Sequence, residues 1–351
     1  MDEVVTDTGL SERVGQNRLD NILNGIIVTL VVAILAFAAF FGLSVWLTNR
    51  ADYQARPTAR AVENLKERVR ANPNDPGLRV ALGLALGTDG QYDEAVEQFN
   101  NALKLNEDFV TAYRGLGLVA YLQNDYEAAS AYLLKVVELT EGSEFRDVNN
   151  TREEALFTLG VMSIDKKEYE DAVGYLKGAL RIRRADSDTY YQLARAYRGL
   201  GEIDAAIEQL EYALAFVPAF AEAHFLMGEL YTEKGDEINA AIFYTQAAQQ
   251  APGADPPQER LQQFGTPEER IHAAREALDQ GDLEKALKEI LVARALDYEN
   301  PEAAKLHGAI LVVRKDFKDA LDVYNEALEL APNDQEIKDA IESLKSRAKK
   351  K

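Results

Sequence analysis

Three aromatic residues recur in the middle of this 351-residue chain at a fixed interval of 34. They are Phe157, Tyr191 and Phe225, and the second is followed closely by Arg195 and Arg198. Rings bind by burying apolar area and guanidinium groups bind carboxylates, so this combination suits recognition rather than bond making. A constant interval places residues on one face of successive structural units. The rings are therefore predicted to form a ladder, too far apart to fill one pocket.

Side chains that usually carry out catalysis or hold metals are scarce. The chain has no Cys and three His, which excludes thiol catalysis, disulfides, thiolate metal sites and iron–sulfur clusters. The sequence has no glycine-rich phosphate loop and no Ser/His/Asp arrangement. His224 and His307 fall at positions that are predicted to pack. We expect no enzymatic activity, no metal, no cofactor and no small-molecule substrate.

The charge balance is strongly acidic. Lys and Arg together number 39 and Asp and Glu number 59, which gives a net charge of −20. Nucleic-acid binding needs a cationic surface, so we expect no nucleic-acid partner. The predicted partners are proteins or peptides.

An alanine recurs along the chain at a repeat-sized interval. Four of the six intervals are 34, and the other two are 43 and 46. A period of this size predicts stacked two-helix units, each of which buries its apolar face against its neighbours. The recurring alanines are Ala95, Ala129, Ala172, Ala206, Ala240, Ala286 and Ala320.

The repeat resembles the tetratricopeptide repeat (TPR) family. The copy around Ala206 fits that pattern best, with Tyr190, Leu193, Ala194, Tyr197, Gly201, Leu210, Ala213, Leu214 and Pro218. The resemblance implies an all-α fold, a right-handed TPR α-solenoid of about seven helix-turn-helix repeats with capping helices. Together with an apolar N-terminal segment, the chain resembles a membrane-anchored bacterial TPR protein.

The resemblance also implies a binding groove. In this family the inner surface is lined by the fifth, ninth and twelfth positions of the first helices. The lysine and asparagine that chaperone-binding members use there to hold a terminal carboxylate are missing, so binding of chaperone tails is not implied. The candidate groove residues are Arg114, Phe157, Tyr191, Arg195, Arg198 and Phe225.

Two interpretations of these groove residues remain open. An exposed aromatic stripe would bind a helical or extended peptide, and the arginines would orient an acidic segment. In the alternative, the rings pack against the next helix and the arginines are ordinary surface residues.

The apolar segment is residues 25–47, a run of 23 residues without a charge. As a helix it would measure about 34 Å, enough to cross about 30 Å of hydrocarbon. Ala38 and Gly42 form a small-xxx-small pair that could pack on another transmembrane helix. A cleaved signal peptide is the rival interpretation, although its apolar core is normally shorter.

More cations flank the C-terminal side of the apolar segment than the N-terminal side. This distribution favours a single pass through the plasma membrane with the repeats in the cytoplasm. An extracytoplasmic repeat domain is nearly as consistent with the sequence.

The predicted boundaries follow from these patterns. Two insertions interrupt the repeats and could be binding loops or adjustable joints; in the second, Pro256-Pro257 blocks continuation of the preceding helix. The predicted segments are a polar acidic tail (1–24), the transmembrane helix (25–47), a linker (48–57), an N-terminal capping helix (58–75), repeats one and two (76–143), an insertion (144–152), repeats three to five (153–254), an insertion or linker (255–266), repeats six and seven (267–334) and a C-terminal capping helix with a basic tail (335–351).

Two functional hypotheses fit this layout. The first is a membrane-tethered scaffold that recruits peptide segments or partner proteins through the concave TPR groove, for assembly or quality control of envelope or membrane complexes. The alternative is a structural subunit of a stoichiometric membrane complex, whose anchor packs on other transmembrane helices.

Overall fold

The computed structural model describes residues 57–143 and 149–348, and within these ranges all regular structure is helical. The helices alternate with short turns in the order that the alanine period predicts. They are α1 Pro57–Ala71, α2 Pro76–Thr88, α3 Tyr92–Leu105, α4 Val110–Leu122, α5 Tyr126–Glu141, α6 Asn150–Asp165, α7 Tyr169–Ile182, α8 Ser187–Gly199, α9 Ile203–Phe216, α10 Ala221–Glu233, α11 Glu237–Gln250, α12 Asp255–Gln262, α13 Pro267–Asp279, α14 Leu283–Leu296, α15 Pro301–Arg314, α16 Phe317–Leu330 and α17 Gln335–Ala348.

The chain divides into two compact units, Met1–Val119 and Ala120–Lys351, and the boundary lies within α4. In the first unit α1 packs on α2, and α2 pairs with α3. The ring of Phe99 is fully buried against two glycines: a Cβ on Gly83 would stand 2.6 Å from it, and one on Gly115 would stand 2.4 Å from it. Neither position has room for a larger residue, which explains the choice of glycine in both helices.

The second unit is a stack of helical hairpins formed by α6/α7, α8/α9, α10/α11, α13/α14 and α15/α16. Asp186 starts α8 by accepting a hydrogen bond from the Thr189 N–H, an ordinary N-cap. Gly201 ends the same helix with φ +77°, a left-handed conformation that glycine adopts without steric cost. The hairpin is thus encoded locally at both ends of its first helix.

The seven recurring alanines are all at most 1% exposed. Each lies in the first turn of its helix. In the hairpins named above, a small side chain at this point lets the paired helix approach. The expectation of an all-α fold built from tetratricopeptide-like hairpins is confirmed.

The second insertion contains a helix of its own. Residues 255–266 were expected to be an insertion or linker, and α12 occupies Asp255–Gln262. Its two prolines fall in the first helical turn, where a missing N–H costs no hydrogen bond, so they start this helix. The previous helix has already ended at Gln250, so the prolines are not what ends it. Phe264, just after it, is 8% exposed and packs against Tyr244. Pro257 and Phe264, the buried residues of this segment, therefore attach it to the core of the second unit.

The first insertion, 144–152, is partly described. Residues 144–148 lie outside the described residues. Asn149 caps α6 by accepting a hydrogen bond from the Arg152 N–H, so residues 150–152 belong to the first helix of the third repeat.

Both ends of the described chain carry a single amphipathic helix. Val62 of α1 is fully buried. At the other end Ile337, Ile341 and Leu344 of α17 are at most 5% exposed, at the spacing of one helical face. These helices occupy the places of the two predicted caps.

No helix within residues 57–143 and 149–348 has both the length and the apolar composition required to cross a bilayer. The predicted transmembrane segment 25–47, with Ala38 and Gly42, lies outside the described residues.

Candidate functional site

A cavity of about 390 Å³ opens on the second unit, and we call it the groove cavity. Its walls come from the first helices of three successive repeats, α6, α8 and α10, together with the start of α7. Its lining residues are Ile164, Tyr169, Tyr191, Arg195, Arg198, Gly199, Phe225, Leu226 and Glu229.

The structure brings four of the six predicted groove residues together. Tyr191, Arg195, Arg198 and Phe225 line the groove cavity. The observed arrangement differs from the predicted ladder, because Tyr191 and Phe225 share one cavity.

The other two candidates lie elsewhere. Phe157 of α6 packs on a buried cluster that includes Leu176 and Leu193, and it is not among the residues lining the groove cavity. Arg114 lies on α4 in the part that belongs to the first unit.

Both aromatic walls of the groove cavity are half-buried. The ring of Tyr191 is 5.2 Å from that of Phe220, and the ring of Phe225 is 5.6 Å from that of Tyr244. Burial raises the pKa of Tyr191 above its ordinary value, and the positive charge of Arg195 acts in the opposite direction. Tyr191 therefore packs against the start of the following repeat, and Phe225 packs against the second helix of its own repeat. Each ring presents another part to the cavity.

Arg198 is held by carboxylates of the next repeat. Its Nη1 lies 2.9 Å from Glu229 Oε2 and its Nη2 lies 2.6 Å from Glu233 Oε1. Glu229 also pairs with Arg260 of α12 at 2.7 Å, and its own side chain is 15% exposed. A largely buried carboxylate shared by two guanidinium groups fixes the spacing of α8, α10 and α12.

Arg195 is placed differently. Its Nη1 donates a hydrogen bond to Gln192 Oε1 at 2.7 Å on the same helix. Within residues 57–143 and 149–348 it takes part in no ion pair. Of the two arginines that line the groove cavity, Arg195 is thus the one whose charge is available to a ligand.

Glu229 is a site residue that the sequence analysis did not select. It stands 34 residues after Arg195, at the same position of the next repeat. The sequence does contain a signal for Glu229, because its charge is opposite to that of Arg195 at the equivalent position of the neighbouring repeat. A pattern of aromatic and basic residues alone does not include an acidic residue.

Residues 57–143 and 149–348 contain no group of three or more His, Asp or Glu side chains arranged to hold an ion.

Sequence profiles of one repeat family match most of the chain. Profiles described as "Tetratricopeptide repeat" match residues 80–144, 272–335, 163–211 and 221–253, and a "TPR repeat" profile matches residues 194–235.

Two curated relatives illustrate the range of similar proteins. BBSome complex member BBS4 of Bos taurus is 25% identical over 189 residues, which cover 54% of this chain and 34% of that protein. DnaJ homolog subfamily C member 3 of Homo sapiens is 21% identical over 305 residues, covering 80% of this chain and 58% of that protein. The chain thus spans roughly a third to three fifths of the length of these two relatives.

A solved structure of pilF from Pseudomonas aeruginosa is also similar. It is 21% identical, has a TM-score of 0.50, and the match covers 63% of this chain and 94% of that one. At this identity the similarity concerns the fold alone.

Proposed function

Because the chain belongs to the tetratricopeptide repeat family, we propose that it is an interaction scaffold whose groove cavity binds a peptide segment of a partner protein. The repeats themselves indicate a protein–protein interaction scaffold. The observation that carries the finer proposal is that Tyr191, Arg195 and Phe225, from successive first helices, meet at one cavity.

The charges of the groove cavity define the chemistry of the ligand. Arg198 is neutralised by Glu229 and Glu233, whereas Arg195 has no carboxylate partner among the described residues. A peptide with one carboxylate beside an apolar side chain would pair with Arg195 and cover the rings of Tyr191 and Phe225. Each ring that loses its water would contribute about 1–3 kcal/mol.

Site-specific crosslinking tests this assignment. A photo-crosslinking residue at Gln192, beside Arg195, should capture a defined peptide segment that mass spectrometry can identify. Arg195→Glu should reduce capture at least tenfold, since reversing the charge repels the ligand carboxylate. Arg70→Glu changes the same charge on an exposed residue of α1 and serves as the matched control. Unchanged capture by Arg195→Glu would remove the groove cavity from the proposal.

The same experiment separates a scaffold from a fixed subunit. A scaffold for assembly or quality control of envelope or membrane complexes should give several partners, each below a one-to-one ratio. A structural subunit would give a single partner at a one-to-one ratio with this chain.

Tethering by residues 25–47 is a further part of the proposal. The uncharged run and its cationic C-terminal flank support a single pass of the plasma membrane with the repeats in the cytoplasm. The chain should resist extraction from membranes by alkaline carbonate, and a C-terminal fluorescent-protein fusion should be bright. Release by carbonate would exclude the anchor, and an active C-terminal phosphatase fusion would place the repeats on the outer side.

A further inference from the structure

A second cavity, of about 320 Å³, lies on the second unit away from the groove cavity. The end of α5, the start of α6 and one face of α7 enclose it. It shares no lining residue with the groove cavity. Three arginines, Arg152, Arg181 and Arg184, and one carboxylate, Glu141, line it, and we call it the arginine cavity.

The first of these arginines is fixed in place. Arg152 donates from Nη1 to the Val137 carbonyl at 2.6 Å and to Thr140 Oγ1 at 3.0 Å, and from Nη2 to Glu141. Its side chain is 11% exposed. A guanidinium that is already held by three partners needs no reordering when a ligand arrives, so the entropic cost of binding is low.

The other two arginines are accessible. Arg181 and Arg184 are exposed, and within residues 57–143 and 149–348 neither side chain donates a hydrogen bond or forms an ion pair. The Nη2 atom of Arg181 lies 3.8 Å from the point where a Cβ would stand on Gly178. The guanidinium is therefore folded back over α7, towards the cavity, and not extended into solvent.

Gly174 keeps part of the floor of the arginine cavity open, whereas Gly178 is buried under Leu156, whose Cδ1 lies 3.2 Å from the point where a Cβ on Gly178 would stand. Gly174 and Gly178 lie one helical turn apart on α7, and both line the cavity. A Cβ on Gly174 would meet no atom within 4 Å, so the space above it is empty. A ligand can thus approach the backbone of α7 closely while the arginines surround it.

We propose that the arginine cavity binds a dianionic group on a peptide segment of a partner, either one phosphoryl group or two adjacent carboxylates. Three guanidinium groups against one carboxylate leave a local charge of about +2, which a dianion neutralises. The chain as a whole carries −20 and repels long polyanions, so a short peptide is favoured over a nucleic acid. This site does not depend on the groove cavity, and either one can be present without the other.

Fluorescence anisotropy with three labelled nine-residue peptides tests the proposal on the full-length chain in detergent micelles. The peptides share one Gly/Ala/Ser background and differ at the centre, which is phosphoserine, Glu-Glu or the neutral Ser-Gln. At least one of the two dianionic peptides should bind at least ten times more tightly than the neutral one. The tighter of the two shows whether a phosphoryl group or a pair of carboxylates is the preferred ligand. Binding should weaken as salt rises.

Two variants act on the arginine cavity by independent routes. Arg181→Glu with Arg184→Glu reverses two charges and should weaken binding at least tenfold. Gly174→Gln fills the space while leaving every charge in place and should weaken it at least fivefold; replacing an exposed helical glycine also favours the helix, so unfolding would not explain the loss. Arg68→Glu with Arg70→Glu, on exposed positions of α1, should stay within twofold of the parent.

Three results would overturn the proposal. The first is that the parent protein binds all three peptides equally tightly or binds none of them. The second is parent-like binding by the double charge-reversal variant. The third is parent-like binding by Gly174→Gln. Crosslinking from position 192 should persist in these variants, which separates failure of this site from failure of the groove cavity.

Discussion

Arg294 donates a hydrogen bond from Nη1 to Nδ1 of His307 across 2.8 Å, from the second helix of the sixth repeat to the first helix of the seventh. Its Nη2 donates to Glu326 Oε1 at 2.7 Å. A guanidinium group has donors and no acceptor, so Nδ1 of His307 must accept this hydrogen bond and carries no proton. The imidazole ring of His307 is therefore neutral. Burial, and then the positive charge of Arg294, lower the pKa of His307 to about 4.

This contact predicts a loss of stability in mild acid. Above the ordinary His pKa of about 6.5 the ring is neutral in both folded and unfolded chains, and its titration has no effect. Between about 6.5 and 4 the unfolded chain takes up a proton that the folded chain does not, so the free energy of unfolding falls by about 1.4 kcal/mol per pH unit. Urea unfolding followed by circular dichroism at pH 7 and pH 4.5 should show the parent losing about 2–3 kcal/mol more than His307→Asn.

His272 provides the control, because its side chain is 74% exposed. His272→Asn, an exposed substitution of the same kind, should change the free energy of unfolding at pH 7 by no more than about 0.5 kcal/mol. If the free energy of unfolding falls equally with pH in the parent and in His307→Asn, then His307 takes up its proton at the same pH in the folded and the unfolded chain. That result would contradict its contact with Arg294.

Tyr191 is predicted to contribute to folding as well as to binding. Its ring packs on Phe220, so Tyr191→Ala should lower the free energy of unfolding by about 1–2 kcal/mol, less than for a fully buried ring. Tyr191→Phe keeps the ring and should be nearly neutral in thermal unfolding. If Tyr191→Ala has the same unfolding temperature as the parent, the ring contributes little to packing, and its role is confined to binding in the groove cavity.

The predicted ladder of rings and the observed groove show where reasoning from sequence stops. The alanine period predicted the hairpins because a small buried residue is required once per repeat, whatever its neighbours are. The exposure of Tyr191 depends instead on Phe220 of the following repeat, and that of Phe225 depends on Tyr244 in the second helix of its own repeat. The interval of 34 gives the position of a residue on its helix and says nothing of how closely the next helix covers it.

Two glycines, each in the interior of a helix of the second unit, should respond oppositely to the same substitution. A Cβ on Gly228 would stand 2.7 Å from the ring of Tyr244, which is 1% exposed and within 3.2 Å of Thr232 Oγ1. Gly228→Ala should therefore destabilise the second unit by about 1–3 kcal/mol through overpacking. Gly174→Ala, on an exposed helical face, should stabilise it by about 0.5–1 kcal/mol. Thermal unfolding of both variants checks the pair, and a shift of the same sign in both would contradict the close contact.

The sequence predicts a binding loop or an adjustable joint for the second insertion, residues 255–266. Its contacts indicate instead a segment that is held rigidly against the neighbouring helices. Arg270 of α13 donates from Nε to the Phe264 carbonyl at 2.6 Å, from Nη1 to Glu289 at 2.7 Å and from Nη2 to Glu237 at 2.7 Å. One guanidinium thus connects the insertion to the second helices of the fifth and sixth repeats. Sequence reasoning could not find this residue, because its three partners are 6, 19 and 33 positions away and follow no motif.

Arg270→Met should consequently loosen the insertion. The substitution leaves Glu289 and the Phe264 carbonyl without this donor and leaves Glu237 with Lys288 as its remaining cation. Together these losses cost about 3 kcal/mol. Amide hydrogen exchange across residues 255–266 should accelerate at least a hundredfold, since 1.4 kcal/mol corresponds to a factor of ten. Arg275→Met on the same helix is the matched control, because Arg275 and its partner Glu302 are each about half exposed and such a pair contributes less than about 1 kcal/mol. Equally slow exchange in the parent and in Arg270→Met would mean that other contacts, such as Phe264 and the Arg260–Glu229 pair, hold the insertion without Arg270. Fast exchange already in the parent would favour the adjustable joint.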